Sequence, residues 1–407
     1  MNKILEFSDI SRSLINKIEK SVKQSNGIYF TPPETIKKNI QYLQPFMQNI
    51  KEVLEPSCGS CEYISQIRQK YNNINITGIE LNTDIFETIK IFQNNNTKLL
   101  NDNYITYDFK NKFDLIIGNP PYFVIKKQDV PNIYHSYYEG RPNIFILFII
   151  KSLHLLSSDG ILSFVLPKNF LNCLYYDKTR KYINENYKIL KIIECTDNFI
   201  ETQQDTIIII VQNNKSIQDN KLYTINISNF TIFGLSENII KLNKLYNNSK
   251  TLFNLGFKVS VGSIVWNQYK NELTTDKNKT LLVYSSDIKN NKLLIQNYSN
   301  QHKKNYINKK GLTCPLLVIN RGYGVGSYNF NYCIINEYDN NEYLIENHLI
   351  SIKYTKPITN KNLIKIYKKI IKSFQNEKTI QFIKLYFGNN AINTTELSKI
   401  LPIYTDF

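Results

Sequence analysis

The sequence predicts an α/β fold: a doubly wound, mostly parallel seven-stranded sheet, with a second domain of mixed α/β character behind it. Three observations carry that expectation. Short apolar, β-branched runs alternate with helical patterns over the first half of the chain, the rhythm of βαβ units. Ile207 to Ile210 is apolar at every position, as a strand covered on both faces requires. After about residue 212 the alternation gives way to Asn- and Lys-rich stretches such as QNNKSIQDNK, which mark a linker over 213–250 and a change of architecture beyond it.

The elements follow in order. Residues 1–26 read as a polar, amphipathic helical leader. Thr31-Pro32-Pro33-Glu34 starts a helix over Glu34–Met47: Thr31 caps it, Pro32 fills the first helical position and Glu34 closes a capping box. Strands are expected at Glu52–Glu55, Ile74–Glu80, Asp114–Gly118, Ile161–Leu166, Ile189–Glu194 and Thr206–Val211, with a weak one near Tyr104–Tyr107. Helices over Glu62–Tyr71, Asp84–Gln93, Asn143–Leu156 and Asp177–Asn186 lie between them. Beyond 250 the β-like runs are short and fix no architecture.

At 407 residues the chain exceeds one ordinary core. Hydrophobic content of 42% with 21% charged residues is globular composition. The 50 Lys+Arg against 34 Asp+Glu give a net charge of +16, and residues 251–407 carry 21 against 10, most of the excess. Such asymmetry suits a polyanionic partner, because each neutralised phosphate releases a counterion. A/T-rich codons also favour Asn, Ile, Lys and Tyr, so charge alone selects nothing. No signal peptide opens the chain, and the longest apolar run, Ile144 to Ile150, is broken by Lys151, far short of a bilayer span. The expected setting is soluble, reducing and cytoplasmic. Cys58-Gly-Ser-Cys61 is half a zinc site at most, and His135, His154, His302 and His348 show no metal spacing, so no metal is expected.

Two short stretches carry the chemistry. Glu55-Pro56-Ser57-Cys58-Gly59 reads as strand, tight loop and helix start, at the crevice where open α/β sheets bind nucleosides. Glu80, ending the next strand, suits the hydroxyls of a ribose. With one glycine and no Lys-Ser/Thr, the loop favours an uncharged or cationic nucleoside over a pyrophosphate. The second stretch is Asp114 to Tyr122, DLIIGNPPY. Pro120 and Pro121 remove two backbone donors, so the Asn119 amide and the Pro120 carbonyl point outward as paired acceptors. Two acceptors converging on one point suit a substrate amino group, and Tyr122 can stack on a flat ring. An exocyclic amine is a poor nucleophile until its lone pair is drawn out of the ring and aimed.

TPPE, EPSCG, IELN and GNPPY, in that order and followed by a long C-terminal part, resemble the γ-class N6-adenine DNA methyltransferases of the TaqI type. The resemblance implies S-adenosylmethionine as cofactor, a catalytic domain over 27–245 and a DNA target-recognition domain over 246–407. It places Thr31, Glu55, Ser57, Cys58 and Gly59 on the methionine and loop side of the cofactor and Glu80 on its ribose. Asp108 would take the adenine amino group, with Pro121 and Phe148 beside the adenine ring. Asn119 and Pro120 would accept from the target amine, with Tyr122 and Phe199 on the faces of the flipped base. Leu281–Tyr298, Pro315–Asn336 and Asn393–Pro402 match the family's recognition segments. Cys61 stands where many relatives keep a second glycine, and Thr202 where the family's type member has a lysine. Double-stranded DNA, a monomeric state and a cognate restriction endonuclease are the partners so implied.

Several alternatives share parts of this pattern. NPPY also serves protein glutamine methyltransferases, RNA methylation uses the same core, and N4-cytosine enzymes more often carry serine for the asparagine. A catalytically dead DNA-binding module is a further reading, against which Glu80, Asn119 and Tyr122 stand intact. Phe148 on its apolar helix and Phe199 before its strand are each also explicable as ordinary core. Arg321-Gly322-Tyr323-Gly324-Val325-Gly326 lacks a following helix and reads as a turn. Lys303, Lys304, Lys309, Lys310 and the Lys365–Lys369 group are candidates for phosphate contact or simply a solvated face.

Overall fold

A computed structural model describes residues 7–197, 199, 204–214, 219–321, 330–335, 342–387 and 392–404. The chain divides into two units, Met1–Ile240 and Lys241–Phe407, where the sequence reading put its boundary at 245/246.

In the first unit, α1 (Asp9–Lys17), α2 (Lys20–Asn26) and α3 (Pro33–Leu43) precede the alternating elements. These are β1 (Glu52–Glu55), α4 (Glu62–Arg68), β2 (Asn75–Glu80), α5 (Thr83–Ile89), β3 (Thr97–Asn101), β4 (Phe113–Gly118), α6 (Ile144–Leu155), β5 (Leu156–Pro167), α7 (Asp177–Asn186), β6 (Lys188–Glu194) and β7 (Thr206–Gln212). Seven strands form one sheet in the order β3-β2-β1-β4-β5-β7-β6, parallel except for β7, which runs antiparallel to both neighbours. The order reverses between β1 and β4, which opens a crevice beyond their carboxyl ends. A small hairpin, β8 (Thr224–Ile227) with β9 (Phe230–Phe233), and α8 (Ser236–Tyr246) follow.

Strand periodicity divides the core into two layers. Leu54, Ile116, Ile207 and Ile209 join the apolar residues of α6 on one face. Val53, Leu115, Ile117, Ile208 and Ile210 join α3, α4 and α5 on the other. The four isoleucines are thus shared two and two, the reason that run carries no polar position.

Two local expectations are corrected. The third strand is Thr97–Asn101, and Tyr104–Tyr107 is a turn. Thr97 and Leu99 face inward while Lys98 points to solvent, a polar-looking alternation that conceals a half-buried strand. At α3 the cap is Pro32, with Pro33 in the first turn and no side-chain capping bond, so Thr31 closes no capping box. Pro33 holds Pro32 at ψ 136°, which pushes the helix start one residue beyond the reach of Thr31.

The second unit holds β10 (Phe257–Val261), β11 (Leu273–Thr274), β12 (Thr280–Val283), β13 (Ile288–Lys289), β14 (Lys292–Leu293), β15 (Tyr306–Ile307), β16 (Leu316–Asn320), β17 (Tyr332–Ile335), β18 (Tyr343–Ile345) and β19 (Leu349–Tyr354). They make a sheet in the order β10-β19-β16-β17, another in the order β11-β15-β12-β18, and the pair β13-β14. Helices α9 (Asn360–Phe374), α10 (Glu377–Tyr386) and α11 (Thr394–Lys399) close it. On α9, Leu363, Tyr367, Ile370 and Phe374 are buried and Lys361, Lys365, Lys368 and Lys369 are exposed. The Gly322–Gly326 part of the glycine-rich run lies outside the described residues, as does Thr202. Among the described residues no helix is long and apolar enough to cross a membrane, and no group of His, Cys, Asp and Glu could hold a metal ion.

Asn393 and Glu396 form the capping box of α11, and burial pushes the Glu396 carboxyl up to about 7. A raised carboxyl favours folding below the unfolded value and loses that contribution as pH rises through 7. Glu396→Gln keeps an acceptor for the cap and removes the titration. Between pH 5 and 8 the variant is expected to gain up to about 3 kcal/mol relative to the parent, read from urea melts across that range.

Candidate active site

The carboxyl ends of β1, β2 and β4, with the turn after β3, surround a cavity of about 810 Å³, a size typical of small-molecule sites. Each wall follows from its local sequence. After β1 the chain turns sharply, with Gly59 at φ +49° and Cys61 at φ +61°. For a cysteine that left-handed conformation costs roughly 1–2 kcal/mol, which explains glycine as the natural alternative there. The turn is tied down by the Cys58 N–H, which donates to Ile79 O at 2.8 Å, and by the Cys61 N–H, which donates to Cys58 O at 2.7 Å. From outside, α1 clasps it: Ser11 Oγ lies 2.7 Å from Ser60 Oγ and 2.5 Å from Glu62 Oε1.

Glu80 is only 8% exposed and lies on the cavity wall. Its Oε2 accepts the Gly59 N–H at 3.0 Å and its Oε1 the Asn82 N–H at 2.8 Å. Burial raises its pKa, while these N–H groups pull it back. Each oxygen keeps lone pairs for a ligand. Pro121 and Phe148 line the same cavity, as do the turn residues Asp102, Asn103 and Ile105.

At the end of β4 the Asn119 amide is held by both of its ends. Nδ2 donates to Tyr29 O at 3.2 Å, which fixes the orientation of the amide, and Oδ1 accepts from the Tyr122 hydroxyl at 2.5 Å. The same hydroxyl lies 2.7 Å from Val165 O. It has one proton for two acceptors, so donation to Val165 O releases Asn119 Oδ1 without leaving the phenol unpaired. Ser57 Oγ donates to Asn119 O at 3.1 Å and links the two sequence motifs.

This corner also explains Gly27, which ends α2 at φ +64°. A Cβ there would lie 2.8 Å from Tyr122 N and 3.1 Å from Pro121 Cβ. Gly27→Ala is expected to destabilise by about 1–3 kcal/mol and to displace residues 119–122. A melting curve paired with a turnover assay reads both effects, and a variant of parental stability and rate would show the contact to be slack.

Of the residues singled out from sequence, Ser57, Gly59, Glu80, Asn119, Pro121 and Phe148 line the cavity, and Thr31, Glu55, Cys58, Asp108, Pro120, Tyr122 and Phe199 do not. Glu55 passes beneath the turn, 3% exposed, where its Oε2 finds no hydrogen-bond partner. Burial, with Cys61 next, raises its pKa well above the usual range. Cys58 is likewise buried under the loop and Thr31 beside the start of α3. Asp108 is exposed and paired with Lys110, which lowers its pKa. Asp102 and Asp129 are the aspartates on the wall, and Asp102 reaches it because the chain folds back into a turn directly after β3. Phe199 is 5% exposed and shares a core cluster with Phe30 and Ile193. Sequence reasoning missed Asp102, Asn103 and the α2 end, Ser25 to Gly27, which also line the cavity. Asp102 carried a signal, since it directly follows the strand hidden in TKLLN.

A sheet of this order, with a buried acid closing β2 and a glycine turn after β1, is the Rossmann-like fold of the class I methyltransferases, a class that uses S-adenosylmethionine. The donor set fits that cofactor: a buried carboxylate with acceptors to spare, apolar residues such as Pro121 and Phe148 on the wall, and Lys126 as the one cation among the described lining residues. Residues 26–200 match the family model described as Eco57I restriction-modification methylase. Over that segment the chain resembles this family. It is 27% identical over 405 residues to the type II methyltransferase M.CvrRI of Paramecium bursaria Chlorella virus XZ-6E, an alignment covering 98% of this chain and 99% of the relative. With the modification methylase CviBIII of Paramecium bursaria Chlorella virus NC1A it shares 26% over 408 residues, again 98% and 99%. The type II methyltransferase M.AccI of Acinetobacter calcoaceticus is 29% identical over 294 residues, 67% of this chain and 53% of the relative.

Proposed function

We propose that this chain methylates the N6 amino group of an adenine flipped out of double-stranded DNA. The observation that carries the reading is the Asn119 amide, oriented by Tyr29 O and opening at the same cavity as Glu80. The bound cofactor supplies a methyl group activated by its sulfonium. Glu80 accepts from the ribose hydroxyls, Pro121 and Phe148 flank the adenine, and Asp102 takes the part first assigned to Asp108. Asn119 Oδ1 and the Pro120 carbonyl accept the two N–H bonds of the target amine, which turns its lone pair towards the electrophile. This is catalysis by positioning and preorganised dipoles. Tyr122 stacks on the base, which must leave the duplex to be reached. Phe199 is the candidate for the other face.

The second unit is proposed as the target-recognition domain. It carries a cavity of about 820 Å³ whose wall includes Lys277, Lys279, Lys309 and Lys310 with one acid, Glu342. Such a cleft suits a phosphate backbone. The names of the relatives, type II methyltransferases and a modification methylase, support DNA as substrate. Transfer of a tritiated methyl group into duplex DNA, followed by nucleoside analysis, tests the proposal. Label on N6-methyladenine is expected. Label on cytosine overturns the base, and label only in RNA or protein overturns the substrate.

A further inference from the structure

We infer that Lys151 is a positioning residue of the cofactor site, shaping the turn 102–107 that faces the nucleoside end of the cavity. The inference rests on the cofactor placement above and goes beyond it to a residue outside the cavity wall. Helix α6 buries Phe145 through Ile150, Ser152 and Leu153, so a lysine at 151 interrupts an otherwise apolar element. Its ammonium is fully employed: Nζ donates to Tyr104 O at 2.6 Å, Ile105 O at 3.0 Å and Tyr107 O at 2.6 Å. An ammonium has three donors, and all three close on one turn. Nζ also stands 5.0 Å from the ring centre of Tyr104 and 5.6 Å from that of Phe109.

The grip extends along one face of the helix. Phe148, three residues before Lys151, sets its ring 4.8 Å from that of Tyr104, and Ser152 Oγ lies 2.8 Å from the Tyr104 hydroxyl. Asp102, Asn103, Tyr104, Ile105 and Thr106, the turn so held, all line the cavity. Three carbonyl oxygens aimed at one point repel one another unless a cation sits between them. Lys151 is that cation. Without it the turn opens, and the wall against which an adenosine would lie is displaced.

Binding without DNA tests this, using S-adenosylmethionine and 5′-methylthioadenosine, which lacks the amino-acid end. Lys151→Met is expected to weaken both ligands by the same factor, about tenfold, with kcat at saturating cofactor within about twofold. Lys151→Arg, which can still donate to several carbonyls, should restore affinity to within about threefold. Should the methionine variant not fold, Ser152→Ala removes only the Tyr104 bond and is expected to weaken both ligands about threefold. Parental affinity in either folded variant overturns the inference, as does weakening of S-adenosylmethionine alone. A purely structural lysine would lower the melting temperature and leave the affinity of the folded protein unchanged. Absence of DNA methylation beside intact nucleoside binding would sink the substrate proposal and leave this inference standing.

Discussion

Asn119→Ala is expected to lower kcat by about 10³-fold or more while leaving the affinity for S-adenosylmethionine within about twofold. The direction of the amide Oδ1 at the β4 corner is set by a second bond, that of Nδ2 to Tyr29 O. Alanine removes one of the two proposed acceptors for the target amine, and the Pro120 carbonyl alone cannot orient its lone pair. Cofactor affinity survives because Glu80, Gly59 and Phe148 are untouched. A stability loss of about 1–2 kcal/mol accompanies the change, since Tyr29 O loses its donor and the Tyr122 hydroxyl one of two acceptors. Single-turnover methyl transfer, with cofactor binding measured on the same preparation, separates these effects. Residual turnover within tenfold of the parent would refute the paired-acceptor mechanism.

Glu80→Gln is expected to raise the dissociation constant for S-adenosylmethionine about 10²-fold with little change in kcat at saturation. The carboxylate accepts from Gly59 N and Asn82 N and has lone pairs left for two ribose hydroxyls. A carboxamide has one acceptor oxygen, so its NH2 must face one of the two loop N–H groups, donor against donor, and the negative charge that strengthened the other bonds is gone. Two weakened charge-assisted bonds at about 1.5 kcal/mol each account for that factor. The pH dependence has a definite sign. Burial holds the Glu80 pKa above the usual 4.5, and protonation turns an acceptor into a donor, so cofactor affinity should fall as pH drops through that raised value. The glutamine variant should show no such fall. Equal affinities in calorimetric titrations of the two proteins would remove Glu80 from the ribose.

Much of the catalytic unit was legible because its signals are local. The βαβ rhythm, the four isoleucines, EPSCG and GNPPY each act through neighbours in sequence, and β1 and α7 stand where expected. The errors share a cause. Asp102 went unnoticed beside Asp108 because β3, with its exposed Lys98, does not look like a strand until it pairs with β2. Thr31 lost its cap to a second proline. Lys151 registered only as the end of an apolar run, for the carbonyls that give it meaning lie 44 to 47 residues away. The second unit was opaque for the same reason. Leu273–Thr274 and Tyr306–Ile307 are two-residue strands paired across more than thirty residues, and neither announces itself alone.

Composition, periodicity and short motifs therefore determined the layered sheet and the positions of the turn after β1 and the corner after β4, because each depends on residues adjacent in the chain. Tertiary structure decided which carboxylates reach the cavity, that Glu55 lies beneath it and Asp102 on its wall, and that a lysine on a buried helix holds the facing turn. Those outcomes depend on where distant segments meet, and burial and converging hydrogen bonds acquire their values only there.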